Sequence, residues 1–247
     1  ITRIDANAFA GTKASTVDLS QVTGLAEISN SVFQNMTKLE TVTLPSGLTT
    51  INQSAFQGDA ALKTLTQAEA AATGGDSQVR DETTPAEGTA TFGSKLTNIG
   101  NNAFNGTGFT TVDLSKATGT PASTGGAAQT TPLTVGSGAF TNMANLTTVK
   151  LPANANINPT YFGNPVDATD KKLQTIQYGD SSSPATITLT DATISSLNFS
   201  KIKNQTIEIK SNVGNSGITF TGGVFNGNAD LTTLKLNVTA TNGNASL

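Results

Sequence analysis

Any chemistry in this chain must come from carboxylates, hydroxyls, amides and amines, because its 247 residues include neither histidine nor cysteine. Without a histidine base, the abundant serines and threonines lack the partner that turns a hydroxyl into a nucleophile. Paired carboxylates are the remaining route, since glycoside hydrolysis needs two of them about 5–9.5 Å apart. Asp18, Asp113 and Glu208 stand at equivalent places in a recurring segment. Asp76, Asp81, Glu82, Asp167, Asp170 and Asp180 lie in the polar stretches between such segments. No run matches a dense Asp/Asn/Gly calcium loop, and no phosphate-binding glycine loop is followed by lysine. The sequence therefore offers no catalytic, cofactor-binding or metal-ligand set, and a carbohydrate-active enzyme is the least favoured class.

Whether two acids can meet depends on the segments that carry them. The phrase LAEISNSVFQNMTKLETVTLP, from Leu25 to Pro45, recurs in register along nearly the whole chain. Its phenylalanine column is Phe9, Phe33, Phe56, Phe104, Phe140, Phe162, Phe199 and Phe225. Five residues upstream stand Ile4, Ile28, Ile51, Ile99, Val135, Ile157, Ile194 and Phe220. Two residues downstream stand Gly11, Asn35, Gly58, Gly106, Asn142, Asn164, Lys201 and Gly227. Glycine and asparagine tolerate a left-handed backbone, so this last column predicts a turn in every repeat, with Lys201 as the exception.

Each phrase closes on Thr-apolar-x-apolar. The threonines are Thr16, Thr41, Thr64, Thr111, Thr148, Thr175, Thr206 and Thr233. Alternation with β-branched residues is the pattern of a strand. So short a strand cannot bury its apolar face alone, but one strand per repeat, stacked, makes a continuous core. The expected architecture is a parallel β-solenoid with the Ile, Phe and apolar strand columns inside and the threonines outside. Beside the threonines runs a variable outward column: Asp18, Thr43, Thr66, Asp113, Lys150, Gln177, Glu208 and Lys235. It is the candidate binding face. On it Asp18 and Asp113 are expected three rungs apart, roughly 14 Å, which is too far for an acid–base pair. Glu208 and Lys235 are expected to pair across one rung.

Three stretches exceed the period: near 68–94, 116–132 and 179–192. The first is expected to be a solvated excursion with helix over 67–72, the second a low-complexity loop, and the third to hold an extra strand around Ile187 and Leu189. The chain opens inside a repeat at Ile1, as expected of a trimmed or mature fragment. A net charge of −3 carries no electrostatic footprint for nucleic acid. No apolar run reaches the roughly 18 residues of a membrane span.

The phrases IDANAF, ISNSVF, INQSAF, IGNNAF and VGSGAF, followed by LETVTLP or LTTVKLP, resemble the BspA-like leucine-rich-repeat family of bacterial surface proteins. The resemblance implies a leucine-rich-repeat right-handed solenoid, here one domain over 1–247 of about eight repeats, mostly β and loop. It implies export to the bacterial cell surface and adhesion to host or bacterial proteins or glycans, without catalysis or cofactor. A monomer is expected, with direct membrane insertion excluded. A structural spacer within a larger surface protein is the alternative. Where the family often carries cysteine, three residues after the Phe, this chain has Thr12, Met36, Asp59, Thr107 and Met143.

Overall fold

The computed structural model describes residues 1–67, 86–117, 133–153, 155, 173–179, 184–189, 193–194, 199, 202–211, 219–220 and 225–238. The chain is a parallel β-solenoid of about five turns with almost no helix. Its first strands are β1 (Thr16–Asp18), β2 (Glu27–Ile28), β3 (Thr41–Leu44), β4 (Thr50–Ile51), β5 (Thr64–Gln67) and β6 (Thr89–Thr91). Then come β7 (Asn98–Ile99), β8 (Thr111–Asp113), β9 (Thr134–Val135), β10 (Thr148–Leu151) and β11 (Thr175–Tyr178). The last are β12 (Ala185–Leu189), β13 (Thr193–Ile194), β14 (Thr206–Ser211), β15 (Thr219–Phe220) and β16 (Thr233–Val238). A seven-stranded sheet runs β1-β3-β5-β6-β8-β10-β11, and a four-stranded sheet runs β2-β4-β7-β9. Strands β12-β14-β16 and β13-β15 form two further sheets.

The register follows the threonine grammar. Thr16 lies opposite Thr41 and Thr41 opposite Thr64, while Thr89, Thr111, Thr148 and Thr175 continue the row. Val42, Leu65, Ala90, Val112, Val149 and Ile176, each one residue further on, are fully buried. The phenyl rings repeat on the rung spacing. Phe9, Phe33, Phe56, Phe104 and Phe140 form one stack with centroids 5.1–5.6 Å apart. Offset rings at this distance attract one another beyond the area they bury. Phe199 and Phe225 stack at 4.9 Å, and Phe162 lies outside the described residues.

Two left-handed columns flank each Phe. The predicted one, two residues after it, has positive φ at Gly11, Asn35, Gly58, Gly106, Asn142 and Gly227; Asn164 and Lys201 lie outside the described residues. A second, two residues before it, holds Asn7, Ser31, Ser54, Asn102 and Gly138 at φ 54–69°. Between them the chain makes a compact turn. Its amides bond to the next turn, as from Phe33 N to Ala55 O and from Phe56 N to Ala103 O.

The stretch near 68–94 is not wholly an excursion. Its end forms β6, a rung wedged between β5 and β8, with Ala90 and Phe92 fully buried. The opposite wall has no matching strand: β4 pairs directly with β7, and Phe56 stacks directly on Phe104. One wall is thus longer than the other by one strand spacing, about 4.8 Å. Gln67, placed by the sequence at the start of a helix, ends β5 instead. It occupies the inward position held by Leu44 in the rung before and Phe92 in the rung after, and its amide explains why. Nε2 donates to Leu48 O at 2.8 Å, and Oε1 accepts from Gly93 N at 3.1 Å. The buried side chain stitches the added strand to the preceding turn. The rest of that stretch, and most of 116–132, lie outside the described residues.

The expected strand around Ile187 and Leu189 is β12. It changes the register of everything after it. Ile202, not Ile207, bridges to Ile176, whereas Ile207 lies opposite Ala185. Ala185 follows Ile176 by nine residues but Ile207 follows Ile202 by five, so one rung carries four residues more than the next. Asn204, fully buried, bridges the mismatch: Oδ1 accepts from Tyr178 N and Nδ2 donates to Tyr178 O.

Candidate binding face

The outward column divides into two rows. Asp18, Thr43, Thr66, Asp113, Lys150 and Gln177 share one row on the seven-stranded sheet. Thr91 also belongs to it, between Thr66 and Asp113. Glu208 and Lys235 face each other in the β12-β14-β16 sheet, in a row begun by Thr186. The eight predicted residues therefore do not form one face, because the four-residue surplus after Ile176 shifts β14 away from β11's register.

On the first row Asp18 and Asp113 are four rungs apart rather than three, owing to β6. That separation is roughly 19 Å, so the carboxylates cannot act on one bond. Asp113 is engaged instead. Its carboxylate accepts from Ser115 N at 3.0 Å and from Ser115 Oγ at 2.6 Å, and meets Lys150 Nζ at 3.3 Å. Partial burial pushes the acid upward, but the two Ser115 bonds and the Lys150 charge outweigh it and hold the pKa below the ordinary carboxylate value. Asp18 is lowered by the equivalent turn, chiefly the bond from Ser20 N. The repeated Asp-Leu-Ser thus closes the strand with an Asx-type turn, an ordinary structural task for both acids. Thr43, Thr66 and Thr91 between them present hydroxyls and methyls at partial exposure.

On the second row the expected Glu208–Lys235 ion pair does not form. Glu208 pairs with Lys210 at 3.6 Å on its own strand and accepts from Thr186 Oγ1 and Asn237 Nδ2. The loop acids Asp76, Asp81, Glu82, Asp167, Asp170 and Asp180 lie outside the described residues. Among the described residues no group of three or more acids is arranged to hold a metal ion.

Residues 1–81 and 86–122 match the BspA type leucine rich repeat region, in six copies. Those residues, just under half of the chain, carry that family's repeat. A leucine-rich repeat protein from Bacteroides ovatus is similar at 17% identity and TM-score 0.43, over 94% of this chain and 63% of that one. The chain thus spans under two thirds of that protein's length. A leucine rich cell surface protein from Faecalibacterium prausnitzii is similar at 17% identity and TM-score 0.23, over 90% of this chain and 78% of that one. No curated protein matches.

The matched BspA-type repeats contain β1 to β8, and so the whole row from Asp18 to Asp113. Sequence reasoning missed Thr91 within them, although Thr89-Ala90-Thr91 has the same Thr-apolar-Thr signature as Thr41-Val42-Thr43 and Thr64-Leu65-Thr66. The signal was present. The absence of a phenylalanine turn before Thr89 hid it.

Proposed function

We propose that this chain is a non-catalytic binding module of the bacterial cell surface, and that it grips a protein partner through the outer face of the seven-stranded sheet. The observation that carries this reading is the single row Asp18-Thr43-Thr66-Thr91-Asp113-Lys150-Gln177, half-exposed beside an aligned row of threonines. A stacked coil builds such a surface from residues that have no packing duty, so its sequence is free to vary. Among the described residues this face has no aromatic side chain, and Tyr178 at its edge is buried. A protein partner suits that surface better than a glycan, because it lacks the flat apolar platform on which a sugar ring would rest. The match to the BspA-type repeat supports the surface location.

The test is an array of extracellular-matrix and bacterial surface proteins beside a glycan array. Binding to a protein should fall at least tenfold in a triple variant, Thr43→Arg, Thr66→Arg and Lys150→Glu. Thr186→Arg on the separate row should leave it unchanged. Equal binding by the triple variant would move the site off this sheet. Binding of glycans alone would reverse the choice of partner, and silence on both arrays is the outcome expected of a spacer.

A further inference from the structure

A second feature of the coil has no part in the binding face. Asp59 occupies the position three residues after Phe56, where neighbouring turns place Met36 and Thr107. Its side chain is fully buried. Oδ1 accepts from Met36 N at 2.7 Å, so the carboxyl ties the third turn to the second. Oδ2 is buried and has no hydrogen-bond partner among the described residues. A carboxylate held in this way leaves one charged oxygen uncompensated, which is among the costliest arrangements a core can contain.

Among the described residues no counter-charge relieves it. On the turn before, the charged groups are the exposed Lys38 and Glu40. On its own turn there is Lys63, whose ammonium is taken by Glu87 at 2.8 Å. The turn after, from Asn105 to Val112, carries no charged residue. Thr107, the equivalent residue there, is neutral and donates its hydroxyl to Phe104 O at 2.9 Å. The site is built for a neutral group.

We propose that Asp59 is a protonated latch between the second and third turns, and that its ionisation under mildly alkaline conditions loosens the coil there. Desolvation drives the carboxyl pKa upward to about 8, against the smaller opposing effect of the Met36 bond. A raised pKa means that the folded chain binds a proton the unfolded chain has released. Stability from this group is therefore full below about pH 4, declines through the window up to about pH 8 and levels off above it. The latch lies beside the sheet, since the same turn continues through Leu62 into β5, which bears Thr66. An alkaline shift would thus act on the surface row through the turn beneath it.

The composition makes the test clean. With no histidine or cysteine, no imidazole or thiol adds its own pH dependence between pH 5.5 and 9, the range in which the Asp59 carboxyl is set to titrate. Thermal melts across that range should show the wild-type midpoint falling by several degrees, with the slope fading above about pH 8. Asp59→Asn and Asp59→Thr should stay within a degree or two over the same range. A wild-type midpoint independent of pH, or an equal fall in both variants, would overturn the proposal. If the variants fail to fold, the carboxyl carbon of Asp59 in the wild type decides by NMR. A titration midpoint above 6.5 supports the latch, and one below 5 refutes it.

Discussion

Among the described residues two places in the solenoid absorb residues beyond the repeat, and they do so differently. Between β5 and β8 a whole strand is added to one wall, while Phe56 still stacks on Phe104 and β4 still pairs with β7. Between β11 and β12 no strand is added beside the row; one rung is lengthened by four residues, and the pairing beyond it shifts. The first leaves the register of the binding row intact and inserts Thr91 into it. The second ends the row. Both seams are closed by a buried primary amide, Gln67 in one and Asn204 in the other. A side-chain amide has the donor and acceptor of a peptide group without belonging to the ladder. It can satisfy backbone groups wherever the ladder falls out of step.

That contrast can be broken most forcefully at the stack. Phe104 touches Phe56 and Phe140 face to face, and Phe92 and Phe109 edge-on. Phe104→Ala should cost about 3–5 kcal/mol, measured by chemical denaturation. Because Phe104 lies across the β6 seam, hydrogen exchange should rise at β6 and β8 together. Phe9 is 44% exposed at the end of the same stack, so Phe9→Ala should cost much less. Equal losses at the two positions would mean that the rings act separately rather than as one column.

The sequence shows the stack and the sheet plainly, because both rest on residues repeated at fixed offsets. Each offset has one physical cause: ring size inside, left-handed φ after the Phe, alternation in the strand. The left-handed column before the Phe was less visible. Ser31 and Ser54 hold φ values of 55° and 57°, and serine is not marked for that conformation as glycine is. The two seams were harder again. Thr175 and Thr206 satisfy the same local motif, yet hydrogen bonding sets Ile176 against Ile202, five residues before Ile207. Register is a property of two segments together, and a motif read along one segment does not contain it. Gln67 was the visible clue to the first seam, a polar residue in a leucine column.

The amides themselves give the next test. Gln67→Leu restores the residue type of the column but leaves Leu48 O and Gly93 N without partners in the core. Asn204→Leu removes the side-chain hydrogen bonds to both backbone groups of Tyr178. Each should lose about 1–3 kcal/mol, read from urea unfolding curves. The pattern of damage should differ. Gln67→Leu should raise hydrogen exchange in β6 while β4 and β7 stay protected, since they pair without it. Asn204→Leu should raise exchange at Tyr178 and through β14. A Gln67→Leu variant as stable as wild type would show that the added strand needs no stitch, and the parallel between the two seams would fail.

The smallest effect sits on the binding row and separates it from the core. Lys150 and Asp113 occupy adjacent rungs at 3.3 Å, with the carboxylate side chain 20% exposed and the lysine 50%. Screening by water limits such a pair to under about 1 kcal/mol. Its pH dependence has the opposite sign to that of Asp59. Asp113 has a lowered pKa, so its contribution is present above the ordinary carboxylate value of 3.8 and is lost as pH falls through the depressed folded value. Asp113→Asn should therefore be slightly less stable than wild type at pH 7 and indistinguishable from it at about pH 2. Thermal melts at the two pH values check this. A deficit that persists at low pH would place the weight on the hydrogen bonds to Ser115 rather than on the charge. The row would then be a set of strand-closing turns whose acids serve the fold, and the seam after Ile176 would end a structural motif rather than a recognition surface.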